Sequence, residues 1–213
     1  MDIKFSCTSC GARACDSIGK TLPEHCTTKR LSSDLIQETM EEYTQDENKK
    51  VMLAAAQVEY EGYGMLTRIQ EIVEFAKKMD YKKIGIATCV GLLKESRALE
   101  KILRAHGFEV FGIACKAGTI TKSSIGIAEE CSKIGRNMCN PILQAKKLNE
   151  EQTDMNVVVG LCVGHDSLFY KYSTVITTTA VVKDRVTGHN PAVVLYQLDS
   201  YYKKILTQNK TQE

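Results

Sequence analysis

Two sets of cysteines carry most of the chemistry this sequence offers. The first is local: Cys7, Cys10, Cys15 and Cys26 are spaced Cys-x2-Cys-x4-Cys-x10-Cys. Four thiolates on short loops suit a tetrahedral zinc ion or an iron–sulfur cluster, since both take soft anionic sulfur ligands. His25 stands beside Cys26 as a substitute ligand. The second set is scattered: Cys89, Cys115, Cys139 and Cys162. Only a finished fold can gather residues so far apart, whereas structural zinc is more often held by local knuckles. The scattered set is therefore expected to hold an iron–sulfur cluster, 4Fe–4S by preference, with Zn as the alternative. Cys131, in a mixed polar segment, reads as a small buried hydrophobe.

Four other residues complete the candidate site. His165 and Asp166 follow Cys162 almost at once. They read as a ligand with its hydrogen-bonding partner, as a proton-donor pair, or as turn residues opening a helix. Lys183 and Arg185 lie in a later loop and would manage charge. His189, beside Asn190, is a cap or part of the site.

The elements that must position these residues follow from hydrophobic periodicity. Strands are expected at Lys83 to Cys89, Phe108 to Cys115, Met155 to Cys162 and Thr174 to Val182. A helix from Leu92 to His106 stops at Gly107. Short β-branched runs alternating with helices predict an α/β fold: a parallel sheet of about four strands with flanking helices. Three of the scattered cysteines then end parallel strands, so they share one sheet edge, the edge beyond which such sheets bind ligands. Cys139 precedes Asn140 and Pro141, a cap and a first-turn proline that open a helix. Asn190 and Pro191 repeat that start late in the chain. Helix N-termini together with Lys183 and Arg185 favour an anion there, either a thiolate cluster or a small anionic substrate.

Residues 31–80 read as three helices covering the sheet. The first, capped by Ser32 or Ser33, runs through Leu35, Ile36 and Met40; the second runs from about Lys49 to Tyr60, and the third from Met65 to Met79. The expected organisation is a Cys-rich metal-binding segment over residues 1–30, then a helical cover and an α/β domain over 31–213. Residues 1–30 are polar and short of large apolar side chains, so a metal would have to stand in for a core.

Composition narrows the functional classes. The chain has 213 residues, 43% of them hydrophobic, and a net charge of +2. That charge gives no reason to expect nucleic acid or an anionic membrane surface as partner. No apolar run reaches spanning length. The start, MDIKFSCTSC, has no hydrophobic signal core, so a cytoplasmic location is expected. Nine cysteines in a reducing compartment point to metal binding or redox chemistry rather than disulfides. Gly118 to Ser123 lacks the second glycine of a phosphate-binding loop, and no dinucleotide fingerprint or nucleophile elbow is present.

Several motifs occur together: GIATC, Cys115-Lys116 after the second strand, MCNP, GLCVGHDSLF and KDRVTGHNP. With them come EYEGYG, the N-terminal Cys-x2-Cys-x4-Cys and a later Pro-x-x-Cys from Pro23 to Cys26. This set resembles domain of unknown function family 1847, and the resemblance covers nearly the whole chain. It implies a metal-binding label and an anaerobic host, and no established reaction. Three functions are therefore expected in turn. The first is an iron–sulfur protein exchanging electrons with a redox partner. The second is an enzyme using an open metal position on a small anionic or sulfur-containing substrate. The third is a zinc-binding interaction module.

Overall fold

The computed structural model describes residues 6–207. Residues 1–5 and 208–213, at the outer ends of the two segments expected from sequence, lie outside the described residues. The chain divides into two compact units, Met1–Gln57 and Val58–Glu213. This division falls within the second helix, whereas composition marks a change near residue 30.

The first unit holds short helical turns at Cys7–Ser9, Ala14–Asp16 and Thr27–Arg30. Helix α1, Ser33–Glu42, follows, and helix α2 begins at Asp46 and runs to Gly62. The Ser32 hydroxyl accepts the Leu35 N–H at 3.2 Å and caps α1. No residue of α1 is buried.

The second unit is built on four parallel strands: β1 (Lys83–Thr88), β2 (Glu109–Ala114), β3 (Met155–Val159) and β4 (Thr177–Val181). Their order is β2-β1-β3-β4. Helix α3 (Arg68–Lys78) precedes β1, α4 (Leu93–Ala105) links β1 to β2, α5 (Pro141–Glu150) links β2 to β3, and α6 (His165–Tyr172) links β3 to β4. The chain steps one way from β1 to β2 and the other way through β3 and β4. Right-handed crossovers therefore place α4 on one face and α5 and α6 on the other. The side chains agree. Ser96 of α4 donates to Thr88 at 2.6 Å, and Arg68 of α3 donates to Thr178 at 2.6 Å. Thr179, the neighbour pointing the opposite way, bonds Tyr170 of α6.

The core lies between these layers. Ile84, Ile86, Leu103, Leu148, Val157 and Phe169 are buried. The Asn156 amide is buried with them. Asn156 accepts from Thr153 at 2.8 Å and donates to Ser173 at 2.9 Å. Its neighbour on β1 is Gly85, where a Cβ would lie 2.1 Å from the Asn156 oxygen, so only glycine leaves room for the amide.

Two strand ends differ from the sequence expectation by more than one residue. β3 stops at Val159 rather than running to Cys162. The register with β4 shifts between Val158 and Val159, and Gly160 takes a φ of 64°, which turns the chain out of the sheet. β4 starts at Thr177 rather than Thr174. The last helix, α7, spans only Ala192–Tyr196, with Pro191 as its cap.

Candidate functional site

The connections step to one side from β1 to β2 and to the other through β3 and β4, which makes a topological switch point between the parallel strands β1 and β3 at the carboxyl edge of the sheet. The scattered cysteines lie around it. Backbone hydrogen bonds continue one step past the strands and hold three of them in place. The Cys89 N–H donates to Val159 O at 3.0 Å, the Cys115 N–H to Thr88 O at 2.8 Å, and the Asn140 N–H to Cys115 O at 2.8 Å. The last bond draws Cys139 alongside Cys115. Asn140 in turn caps α5, its side chain accepting the Leu143 N–H at 3.0 Å.

From below, Gln144 of α5 fixes the same region. Fully buried, it donates to Thr88 O at 3.1 Å and to Ile113 O at 2.8 Å, bridging the ends of β1 and β2 directly beneath Cys89 and Cys115. Its side-chain oxygen has no hydrogen-bond partner. A glutamine inside an apolar helix face was the available sequence signal for this role, and it had not marked Gln144 as part of the site.

The thiols form a chain of contacts. Cys115, only 2% exposed, hydrogen-bonds with Cys139 on one side and Cys89 on the other, and it receives the Val90 N–H at 3.4 Å. Sharing one proton among three sulfurs separates their acidities. The two neighbouring thiolates, Cys139 first and then Cys89, push Cys115 far above the ordinary thiol range. The Cys115 hydrogen bond lowers Cys89 to about 5, with the Gly91 backbone and Lys183 assisting. It also lowers Cys139 to about 3, with His165 as the next cause. Cys139 raises the pKa of His165 in return.

This separation has a measurable consequence. In metal-free protein, alkylation of Cys139 by iodoacetamide should stay fast as pH falls from about 8 to 5, where a free thiol slows about tenfold per unit. The sign follows from the lowered pKa, because the thiolate persists until pH approaches about 3. Peptide mapping across that range checks it, and a Cys139 rate that falls in step with a free thiol would contradict the contact chain.

Cys162 stands apart from these contacts. It lies beyond Gly160 in the turn and receives the Arg185 guanidinium on its sulfur at 3.1 Å. Arg185 is also within electrostatic reach of Cys89 and Cys139, so one cation faces thiols from three segments. Lys183 approaches Cys89 from the same loop. Asp184, between the two cations, holds this loop. Its carboxylate accepts the N–H groups of Val186 and Thr187 at 2.9 and 3.0 Å, and the Thr187 hydroxyl together with these two N–H groups holds its pKa below the ordinary carboxylate range. His189 closes the loop from the other end, its Nδ1 accepting the Asp184 N–H at 3.1 Å. Its placement is that of a loop clasp.

Asp166 accepts its neighbour Ser167's N–H at 2.8 Å in the first turn of α6 and makes no hydrogen bond to a thiol. Lys116, next to Cys115, is a cation near Cys139 that the sequence reading had not assigned. Its signal was a lysine directly after a strand-end cysteine.

In the first unit, Cys7 opens one short turn, Cys10 ends it and Cys15 lies in the next. Cys26 is buried before the third, its acidity increased by the Thr28 hydroxyl and backbone N–H. All nine cysteines are free thiols. Among the described residues, no group of three or more His, Cys, Asp and Glu side chains has the geometry to hold a single metal ion. In the second unit, Cys115 lies between Cys139 and Cys89. The chemistry of that donor set, soft sulfurs already ionised at neutral pH, fits a metal once Cys115 is deprotonated.

Comparison with known proteins gives two matches. The family described as protein of unknown function (DUF1847) matches residues 26–180. An uncharacterised protein of Methanocaldococcus jannaschii is 44% identical over 206 residues, covering 97% of this chain and 100% of its own length.

Proposed function

For a chain that belongs to the DUF1847 family, we propose a thiolate-bound iron–sulfur centre at the carboxyl edge of the sheet, serving electron exchange with a redox partner. The carrying observation is the Cys89–Cys115–Cys139 contact chain, drawn from three distant segments to one edge. Cys162, on the same edge, completes four sulfurs. A bound cluster supplies one-electron exchange. The protein's own groups do the rest. The backbone around Cys89 and Cys115 buries the sulfurs, Lys183 and Arg185 offset their negative charge, and His165 supplies a proton donor beside Cys139. The first-unit cysteines are proposed as a second metal site, zinc or cluster. A reducing cytoplasm suits nine unpaired thiols. Among the described residues, no helix is long and apolar enough to cross a membrane.

A second reading is favoured by Arg185 and Lys183. Two cations from one loop, aimed at the thiol edge, suit an enzyme acting on a small anionic or sulfur-containing substrate, with His165 managing protons and Asp166 acting on it electrostatically. Iron, sulfide and zinc content of anaerobically purified protein, with its visible spectrum, tests these readings together. A brown protein with matching iron and sulfide is the expected result. Colourless protein carrying zinc would overturn the electron-transfer reading and leave a zinc-binding interaction module.

A further inference from the structure

Cys89 and Cys115 occupy facing positions on adjacent strands. The register of β1 with β2 pairs Thr88 with Ala114 and continues one step, since the Cys115 N–H donates to Thr88 O at 2.8 Å. Cys89 and Cys115 are the next pair. Neighbouring strands run about 4.8 Å apart, inside the roughly 4.4–6.8 Å between Cα atoms that a disulfide spans. The sulfurs also meet. Cys115 hydrogen-bonds with Cys89, its Sγ receives the Val90 N–H at 3.4 Å, and a Cβ on Gly91 would lie 3.8 Å from Cys89 Sγ. Both thiols therefore sit against the turn that leaves β1. Both are buried, whereas Cys139, the other neighbour of Cys115, is only partly so.

We propose that in the metal-free protein these three thiols exchange with small disulfide substrates, Cys139 receiving and the Cys89–Cys115 pair storing the disulfide. The Cys139 sulfur attacks a substrate RSSR, forming an S–S bond to one RS group while the other leaves as RS−. Cys115 then attacks the Cys139 sulfur, which expels the second RS− and forms a Cys115–Cys139 disulfide. Cys89 attacks Cys115 in turn, forming the Cys89–Cys115 disulfide and freeing Cys139. One substrate disulfide is reduced and two protein thiols are oxidised. Their two protons pass to the two RS− groups, which end as RSH. Each internal attack joins sulfurs already in contact. The stored pair is buried, so reduction must return through Cys139. The exchange uses thiols alone and stands whether or not the same edge also takes a cluster.

Full-length protein, stripped of metal by a chelator, reduced and freed of reductant, is treated anaerobically with equimolar glutathione disulfide. Alkylation stops the reaction, and mass spectrometry maps the unreduced peptides. The expected product has Cys89 linked to Cys115 and Cys139 free. Cys89→Ser should stop at the Cys115–Cys139 link, and Cys115→Ser should keep glutathione on Cys139. Cys139→Ser should slow formation of the Cys89–Cys115 link at least about tenfold, because the accessible attacking thiol is gone. Circular dichroism verifies helix content, and the wild-type map decides alone for any variant that loses it. Wild-type protein that carries glutathione on Cys139 without an internal link, or that leaves all three thiols unreacted, overturns the inference. So does a Cys89–Cys115 link formed at the wild-type rate in Cys139→Ser. Iron and sulfide are measured before stripping, so a failure of the metal reading leaves this result untouched.

Discussion

Cys115→Ser is expected to strip anaerobically purified protein of most of the metal and visible absorbance assigned to the sheet edge. Cys115 is the middle sulfur of the contact chain and is 2% exposed, so no solvent ligand can replace it without opening the edge. Serine leaves a hydroxyl where a thiolate would bind, and an alkoxide is not accessible at neutral pH. The variant should still fold. Burying an imperfectly paired hydroxyl costs about 1–3 kcal/mol, a fraction of what the surrounding core supplies. Cys131→Ser is the matched control, since Cys131, read from sequence as a small buried hydrophobe, is in fact exposed. Full retention of iron and sulfide in Cys115→Ser would remove the centre from the sheet edge and leave the first-unit cysteines as its holders.

Gly160→Ala should be the most destabilising single methyl addition in the second unit. Gly160 has a φ of 64°, a conformation that costs alanine roughly 1 kcal/mol or more. A Cβ there would lie 1.9 Å from Leu92 Cδ1, and Leu92 is a buried core residue at the start of α4. Relieving that overlap means moving a packed leucine, typically another 1–3 kcal/mol. The sum, about 3 kcal/mol, corresponds to a fall in melting temperature of roughly 10 °C for a chain of this size. Thermal unfolding followed by circular dichroism measures it. The same substitution shifts the turn that carries Cys162, so the Arg185 contact should weaken with it. An unchanged melting temperature would mean that Gly160 is not held as described.

Both predictions depend on how strand ends are finished, and there the sequence was informative only in part. The runs that became β1 to β4 alternate with helices strongly enough to give a parallel sheet. Asn140 with Pro141 marked the start of α5 because capping chemistry is local. The placement of Cys89 and Cys115 just past strand ends could be read because a parallel strand carries its direction in the chain. The exit of β3 could not. Met155 to Leu161 is apolar apart from Asn156, and only the register shift against β4 and the turn at Gly160 decide that the strand ends at Val159. Periodicity reports which side chains a segment buries, and says nothing about when its partner stops pairing.

An amphipathic pattern announces that a face needs covering without saying by what. Residues 31–80 therefore read as a uniform sheet cover, and of these α3 reaches the sheet through Arg68.

The sequence by itself determined the α/β class, the family, the starts of β1, β3 and α5, and the edge toward which Cys89, Cys115 and Cys139 run, because each rests on composition or on interactions within a few residues. Tertiary structure alone decided the order β2-β1-β3-β4, the middle position of Cys115, the Gln144 bridge beneath it and the seating of Arg185 on Cys162. These contacts join residues 23 to 56 positions apart, as Arg185 to Cys162 and Gln144 to Thr88 are. Their geometry follows from layers packing face to face, which no local pattern encodes.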